Sequence, residues 1–141
     1  MSVEFHRGRL IDHVQLHVKD LAKSLAFYKA ALGALGKGDI VHEGDGYFYA
    51  DELFIDADAS VKVLPVHIAF LAASQEEVQR FHRDALKAGG KDNGKPGPRD
   101  YHPGYYAAFV LDPDGNNIEA TYHGPSTRSA PSVVFKPITP A

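Results

Sequence analysis

The chain has 141 residues, 44% hydrophobic and 23% charged, with a formal net charge of −3 and no cysteine. It is long enough to bury a sizeable apolar core, and its charge argues against nucleic-acid phosphates as its main partner. The lack of cysteine excludes disulfides, thiolate nucleophiles and Cys-ligated zinc, leaving imidazole and carboxylate as ligands for any metal.

Histidine is plentiful, at His6, His13, His17, His42, His67, His82, His102 and His123. The first residues, Met1 to His6, lack the apolar core of a secretory signal. No stretch approaches the roughly 20 apolar residues of a membrane span. A cytoplasmic protein, without membrane attachment, is expected.

From Ile11 to Val18 the residues alternate, with Val14, Leu16 and Val18 on one face and His13, Gln15 and His17 on the other. This period of two predicts a strand packed on one face. Asp20 follows as a helix N-cap, and Leu21, Leu25, Tyr28 and Leu32 recur at helical spacing until Gly33 and Gly36. Three short strands are predicted next, at 39–42, 47–50 and 53–57, separated by turn residues.

The same pattern returns 54 residues on. His67 stands for His13, Ile68 for Val14, Phe70 for Leu16 and Ala72 for Val18. Ser74 replaces the Asp20 cap, with Glu77 completing a capping box, and Phe81, Leu86 and Gly90 match Phe27, Leu32 and Gly36. A His, a cap, an aromatic and a terminal glycine in one register mark an internal repeat. Tyr105 to Leu111 then predicts a strand, Asp112-Pro113-Asp114-Gly115 a tight turn, and Asn116 to His123 the last strand. The segment from Lys91 to Pro103 is too rich in Gly and Pro to predict a strand beyond its first residues. Val133, Val134 and Phe135, in a Pro/Ser-rich tail, are candidates for docking on a surface.

The expected fold is therefore α+β: two paired βαβββ modules making a curved mixed sheet, a cup with helices on its convex side. Module one covers about residues 9–58, module two about 65–123, and an extended tail 124–141. Opposite parity to the apolar faces puts His13 and His67 in the cup. Phe54-Ile55-Asp56-Ala57 echoes Asn117-Ile118-Glu119-Ala120, which makes Asp56 and Glu119 candidates for equivalent positions. Two imidazoles and one or two carboxylates are donors for a divalent ion: Zn, Ni, Mn or Fe(II). A lone strand histidine is usually structural, and His17, His42 and His82 are read as surface or core-edge residues.

Ile11-Asp12-His13-Val14-Gln15-Leu16, the Asp20 to Gly33 helix, His67-Ile68-Ala69-Phe70 and Asp112-Pro113-Asp114-Gly115-Asn116-Asn117-Ile118-Glu119 together resemble the vicinal-oxygen-chelate superfamily. That superfamily holds glyoxalases, bleomycin-resistance proteins and extradiol dioxygenases. The resemblance spans about residues 9–123, and the run Tyr101 to Phe109 is similar to that of small uncharacterised bacterial glyoxalase-like proteins. It implies metal-ligand roles for His13, His67 and Glu119, a small substrate bound through adjacent oxygens, and a homodimer. Asp56 stands where glyoxalase I has a glutamate, and is the candidate fourth ligand. Glu119 or Asp56 is the candidate base for proton transfer. Tyr105, Tyr106, His102, Arg99 and Gln15 are candidates for substrate contact. The leading reading is a metal-dependent lyase or isomerase acting on a small α-oxygenated molecule. The alternatives are a metal-free drug-binding protein of the bleomycin-resistance kind and an Fe(II) extradiol-type dioxygenase.

Overall fold

The computed structural model describes residues 13–134 and 136–138. The secondary structure repeats as expected. The first module runs β1 (Val14–Val18), α1 (Leu21–Ala34), β2 (Val41–Gly44), β3 (Tyr47–Ala50) and β4 (Leu53–Ala57); the second runs β5 (His67–Leu71), α2 (Gln75–Lys87), β6 (Lys91–Pro98), β7 (Tyr106–Leu111) and β8 (Asn117–Tyr122). Ile11 and Asp12, predicted to open the first strand, lie outside the described residues, as does Phe135. No helix among the described residues is long and apolar enough to cross a membrane.

Each module folds into one four-stranded mixed sheet, in the order β1-β4-β3-β2 and β5-β8-β7-β6. The shared order is the duplication seen in three dimensions. β1 lies parallel to β4 and β5 parallel to β8, while the remaining neighbours are antiparallel hairpins. The fold class is the expected α+β arrangement, with the hydrogen-bonded ladder divided into two halves. β6 is longer than the sequence suggests. Its glycines and prolines are absorbed by register shifts between Asp92 and Gly94 and between Gly94 and Gly97, where the ladder to β7 is interrupted.

Both helices start where their caps predict. The Asp20 carboxylate accepts the Lys23 amide at 3.1 Å and the Ser74 hydroxyl accepts the Glu77 amide at 3.1 Å. Glu77 reaches back to the Ala73 amide at 3.1 Å, so the capping box closes one residue upstream of the cap.

What joins the modules is helix packing. One apolar cluster takes in Leu16, Val18, Phe48 and Ile55 of the first sheet, Phe27 and Tyr28 of α1, Val78 and Phe81 of α2, and Ala108, Val110, Ile118 and Ala120 of the second sheet. Tyr28 sits among both halves, its ring 6.1 Å from Phe48 and 6.4 Å from Phe70. Its hydroxyl donates to the Asp112 carboxylate at 2.6 Å, a buried bond between residues 84 apart in sequence. The Asp112 to Gly115 turn is thus more than a hairpin. Asp114 accepts the Lys19 amide at 3.0 Å, so the turn also holds the entry to α1. Gly90 is needed for a close approach: a Cβ there would lie 2.4 Å from Val110 and 2.8 Å from both the Ala85 carbonyl and Phe27.

Val133 and Val134 are 69% and 75% exposed and do not dock.

Candidate metal centre

In β5, Ile68 and Phe70 lean on the core, so His67 and Ala69 face outward. In β8 the same alternation sends Ile118 and Ala120 into the core and Glu119 and Thr121 to the outward face. Parallel pairing sets Ala69 opposite Glu119 and His67 opposite Asn117. The imidazole of His67 bends toward its diagonal neighbour, placing Nε2 3.0 Å from Glu119 Oε1. His67 is about half exposed at its side chain, while Glu119 is buried.

The other ring nitrogen decides what this contact is. His67 Nδ1 lies 3.0 Å from the Asn117 carbonyl oxygen, an acceptor only. Both ring nitrogens therefore face acceptors, while a neutral imidazole carries only one N–H. With Nδ1–H given to the carbonyl, the Nε2 lone pair points at a carboxylate oxygen, and a cation must stand between them: a second proton or a metal ion. A carbonyl that takes Nδ1–H and leaves Nε2 for the metal is the usual outer arrangement of a histidine ligand. Two donors of one tetrahedral ion would lie about 3.4 Å apart, so a small opening of the 3.0 Å His67–Glu119 contact would let the pair share one. Imidazole and carboxylate are donors of the kind a divalent ion takes, and two of them meet here.

Glu119 Oε2 is held separately. Thr121 donates its hydroxyl to it at 2.6 Å, and Tyr105 donates its phenol to the same oxygen. Burial, with the Glu119 hydrogen bond next, raises the Tyr105 pKa above the ordinary tyrosine value, so the phenol stays a donor. Tyr105 is braced edge-on by Tyr101, His102 and His123 at 4.9, 5.4 and 5.3 Å. His102 and His123 stack, with Nε2 of the first 2.8 Å from Nδ1 of the second. His123 was not singled out in the sequence, since nothing in its spacing distinguishes it from any histidine at a strand end.

The other expected residues divide. Arg99 lies over Phe109 at 5.3 Å, and its guanidinium donates to the carbonyls of Gly97, Pro98 and Lys95. It ties down the bulged β6. Tyr106 turns the other way, toward α2, where its hydroxyl accepts from Gln79 at 3.0 Å. A cleft of about 390 Å³ opens beside the 98–106 loop, with Arg99, His102, Tyr105 and Tyr106 in its wall. A groove of the same volume between α1 and α2 contains none of the candidate residues.

On the first sheet His13 precedes β1 and is exposed, and Gln15 points outward beside Phe54. Asp56 is bound to His17, with Oδ1 2.6 Å from Nδ1. The register corrects one expectation. Gln15 pairs with Phe54, and Ala69, the repeat partner of Gln15, pairs with Glu119. The structural equivalent of Glu119 is therefore Phe54. Asp56 lies two residues further along, matching Thr121. Among the described residues, no group of three His, Asp or Glu side chains is placed to hold a metal ion. His67 and Glu119 are brought together, and His13 and Asp56 do not join them.

The fold and these residues can now be set beside known proteins. The family model described as the glyoxalase/bleomycin resistance protein/dioxygenase superfamily matches residues 10–120. The chain belongs to this superfamily. A glyoxalase/bleomycin resistance protein from Albidiferax ferrireducens is 30% identical, with a TM-score of 0.66 over 80% of this chain and 98% of that one. A hypothetical protein from S. aureus is 25% identical, with a TM-score of 0.57 over 77% and 92% of the two chains. A lactoylglutathione lyase from Agrobacterium tumefaciens, 21% identical, has a TM-score of 0.57 over 81% and 93%, a likeness of fold alone. No curated protein matches the chain. Glyoxalase-superfamily membership agrees with the duplicated βαβββ module.

Proposed function

We propose that this glyoxalase-superfamily protein is a metal-dependent lyase or isomerase. It acts on a small α-oxygenated molecule held through adjacent oxygens, at a site completed by a second copy of the chain. The observation behind this reading is the His67 ring held between two acceptors, the Asn117 carbonyl and Glu119. His67 and Glu119 would hold Zn, Ni, Mn or Fe(II), with His13 as the third donor. A bound divalent ion supplies a Lewis acid for negative charge developing on substrate oxygens.

The same chain supplies no third donor among the described residues. β1 and β5 each end their sheet. A homodimer that sets the first sheet of one copy against the second sheet of the other accounts for both, and brings His13 across. Gln15 then joins the substrate wall with Tyr105. The His17–Asp56 couple, in which the carboxylate orients the imidazole, is suited to moving a proton at His17 Nε2. A second reading, sequestration of a planar ligand, is favoured by a ladder of rings on the first sheet. Tyr47 stacks on Phe54 at 5.1 Å and on Tyr49 at 6.4 Å, and His42 lies 5.1 Å from Tyr49.

Subunit mixing tests the shared site. His13→Ala and His67→Ala are each expected to bind no metal alone. After subunit exchange about one quarter of wild-type sites should return, because half the dimers are mixed and each mixed dimer keeps one intact site. Metal retained by His67→Ala alone, or no recovery in dimers verified as mixed, overturns this assignment.

A further inference from the structure

We infer that Tyr105 and Thr121 are positioning residues that make Glu119 a one-oxygen donor, and that Glu119 is therefore not the proton-transferring base. The inference rests on the metal reading above and specifies how the carboxylate serves it.

The two oxygens of Glu119 have different neighbours. Oε1 faces His67 at 3.0 Å. Oε2 accepts the Thr121 hydroxyl and the Tyr105 phenol. Neither donor is free to leave. Thr121 is two residues along the same strand, on the same face, and 3% exposed. Tyr105 is packed edge-on against three rings, and its hydroxyl lies 3.3 Å from that of Thr121, so the two donors converge on a single oxygen. Glu119 itself is 3% exposed.

A carboxylate can hold a cation through one oxygen or through both. Binding through both here would require Oε2 of the buried Glu119 to give up two charge-assisted hydrogen bonds, one of them, to Thr121, fully buried. The clamp therefore selects the one-oxygen mode, leaving more of the cation's coordination sphere open to a substrate with two adjacent oxygens. The same clamp opposes a base role. A carboxylate that takes a substrate proton needs an oxygen free to meet it, and the oxygen away from the metal is already filled by two donors.

The test uses the full chain stripped of metal and titrated with Co(II), read by calorimetry and by the visible absorption of the bound ion. Wild type, Tyr105→Phe, Thr121→Val and Thr121→Ser are compared, with thermal melting as a check of folding. Tyr105→Phe and Thr121→Val should bind cobalt about 10–100-fold more weakly, the usual effect of losing an outer partner of a metal ligand. Their visible bands should also weaken as the second oxygen joins the ion and its coordination number rises. Thr121→Ser keeps the hydroxyl and should retain wild-type affinity and spectrum. Should Tyr105→Phe not fold, the Thr121 pair decides alone. Wild-type affinity and spectrum in folded Tyr105→Phe or Thr121→Val overturn the positioning role and leave the metal reading standing. A folded wild type that takes up no cobalt overturns both.

Discussion

Replacing Tyr28 by Phe removes one oxygen from the centre of the molecule and tests how the two modules are held together. The Tyr28 ring is fully buried and Asp112 is 4% exposed, so water cannot replace the lost donor. Asp112 Oδ2 keeps the Asn116 side-chain amide at 2.8 Å, and Oδ1 keeps the Asp114 and Asn116 backbone amides at 2.9 and 2.8 Å. One of four hydrogen bonds to a buried carboxylate is lost, and the ring contacts remain. A hydrogen bond to a charged group contributes about 1.5–3 kcal/mol. With an unfolding entropy of about 0.3 kcal/mol/K for a chain of this length, about 2 kcal/mol lowers Tm by about 7 °C.

The same bond has a pH signature. Burial, then the charge of Asp112, raises the Tyr28 pKa well above its ordinary value of 10.0. The folded state therefore retains a proton that the unfolded chain releases, and the stabilisation is fully present below pH 10 and declines as pH rises above it. Calorimetric melting of wild type and Tyr28→Phe at neutral pH and above pH 10 measures both effects. A variant within 1 °C of wild type at neutral pH, a margin well below the ~7 °C expected from the entropy scale, would refute the role given to the Tyr28–Asp112 bond.

Gly90→Ala forces a methyl group against Val110, Phe27 and the Ala85 carbonyl, and should cost about 1–3 kcal/mol or more in denaturant unfolding; a neutral result means that this contact yields. Asp56→Asn leaves His17 without its orienting carboxylate. Once a turnover assay is in hand it should lower kcat with metal content unchanged, whereas a loss of metal in this variant would make Asp56 a ligand.

Much of the fold was legible because it is written twice. The strand parity, the two helix caps and the glycines recur at one spacing, and the structure returns the same strand order in both halves. Strand parity put His67 on the outward face, and Glu119 was expected beside it from the family resemblance of the turn before β8. The mismatch of Asp56 with Glu119 has a simple cause. Strand side chains repeat every two residues, so sliding a strand by two keeps every apolar residue on its face and leaves the error invisible in a pattern. Only the pairing of Gln15 with Phe54 exposes it. The hydrogen-bond partners of Tyr106 and Arg99 were not legible in the sequence, for related reasons. Adjacent strand residues face opposite ways, which separates Tyr105 from Tyr106, and the carbonyls that engage Arg99 belong to bulges that no residue pattern specifies. The Tyr28–Asp112 bond joins residues too far apart in sequence for local periodicity to reveal.

The most direct measurement is a crystal structure of the full chain grown with cobalt, with data collected on both sides of the cobalt absorption edge. An anomalous peak about 2.1 Å from both His67 Nε2 and Glu119 Oε1, a normal distance for such ligands, is the predicted result. A peak only at the His17–Asp56 pair, or none at any histidine in a crystal whose dissolved protein contains bound cobalt, would contradict it.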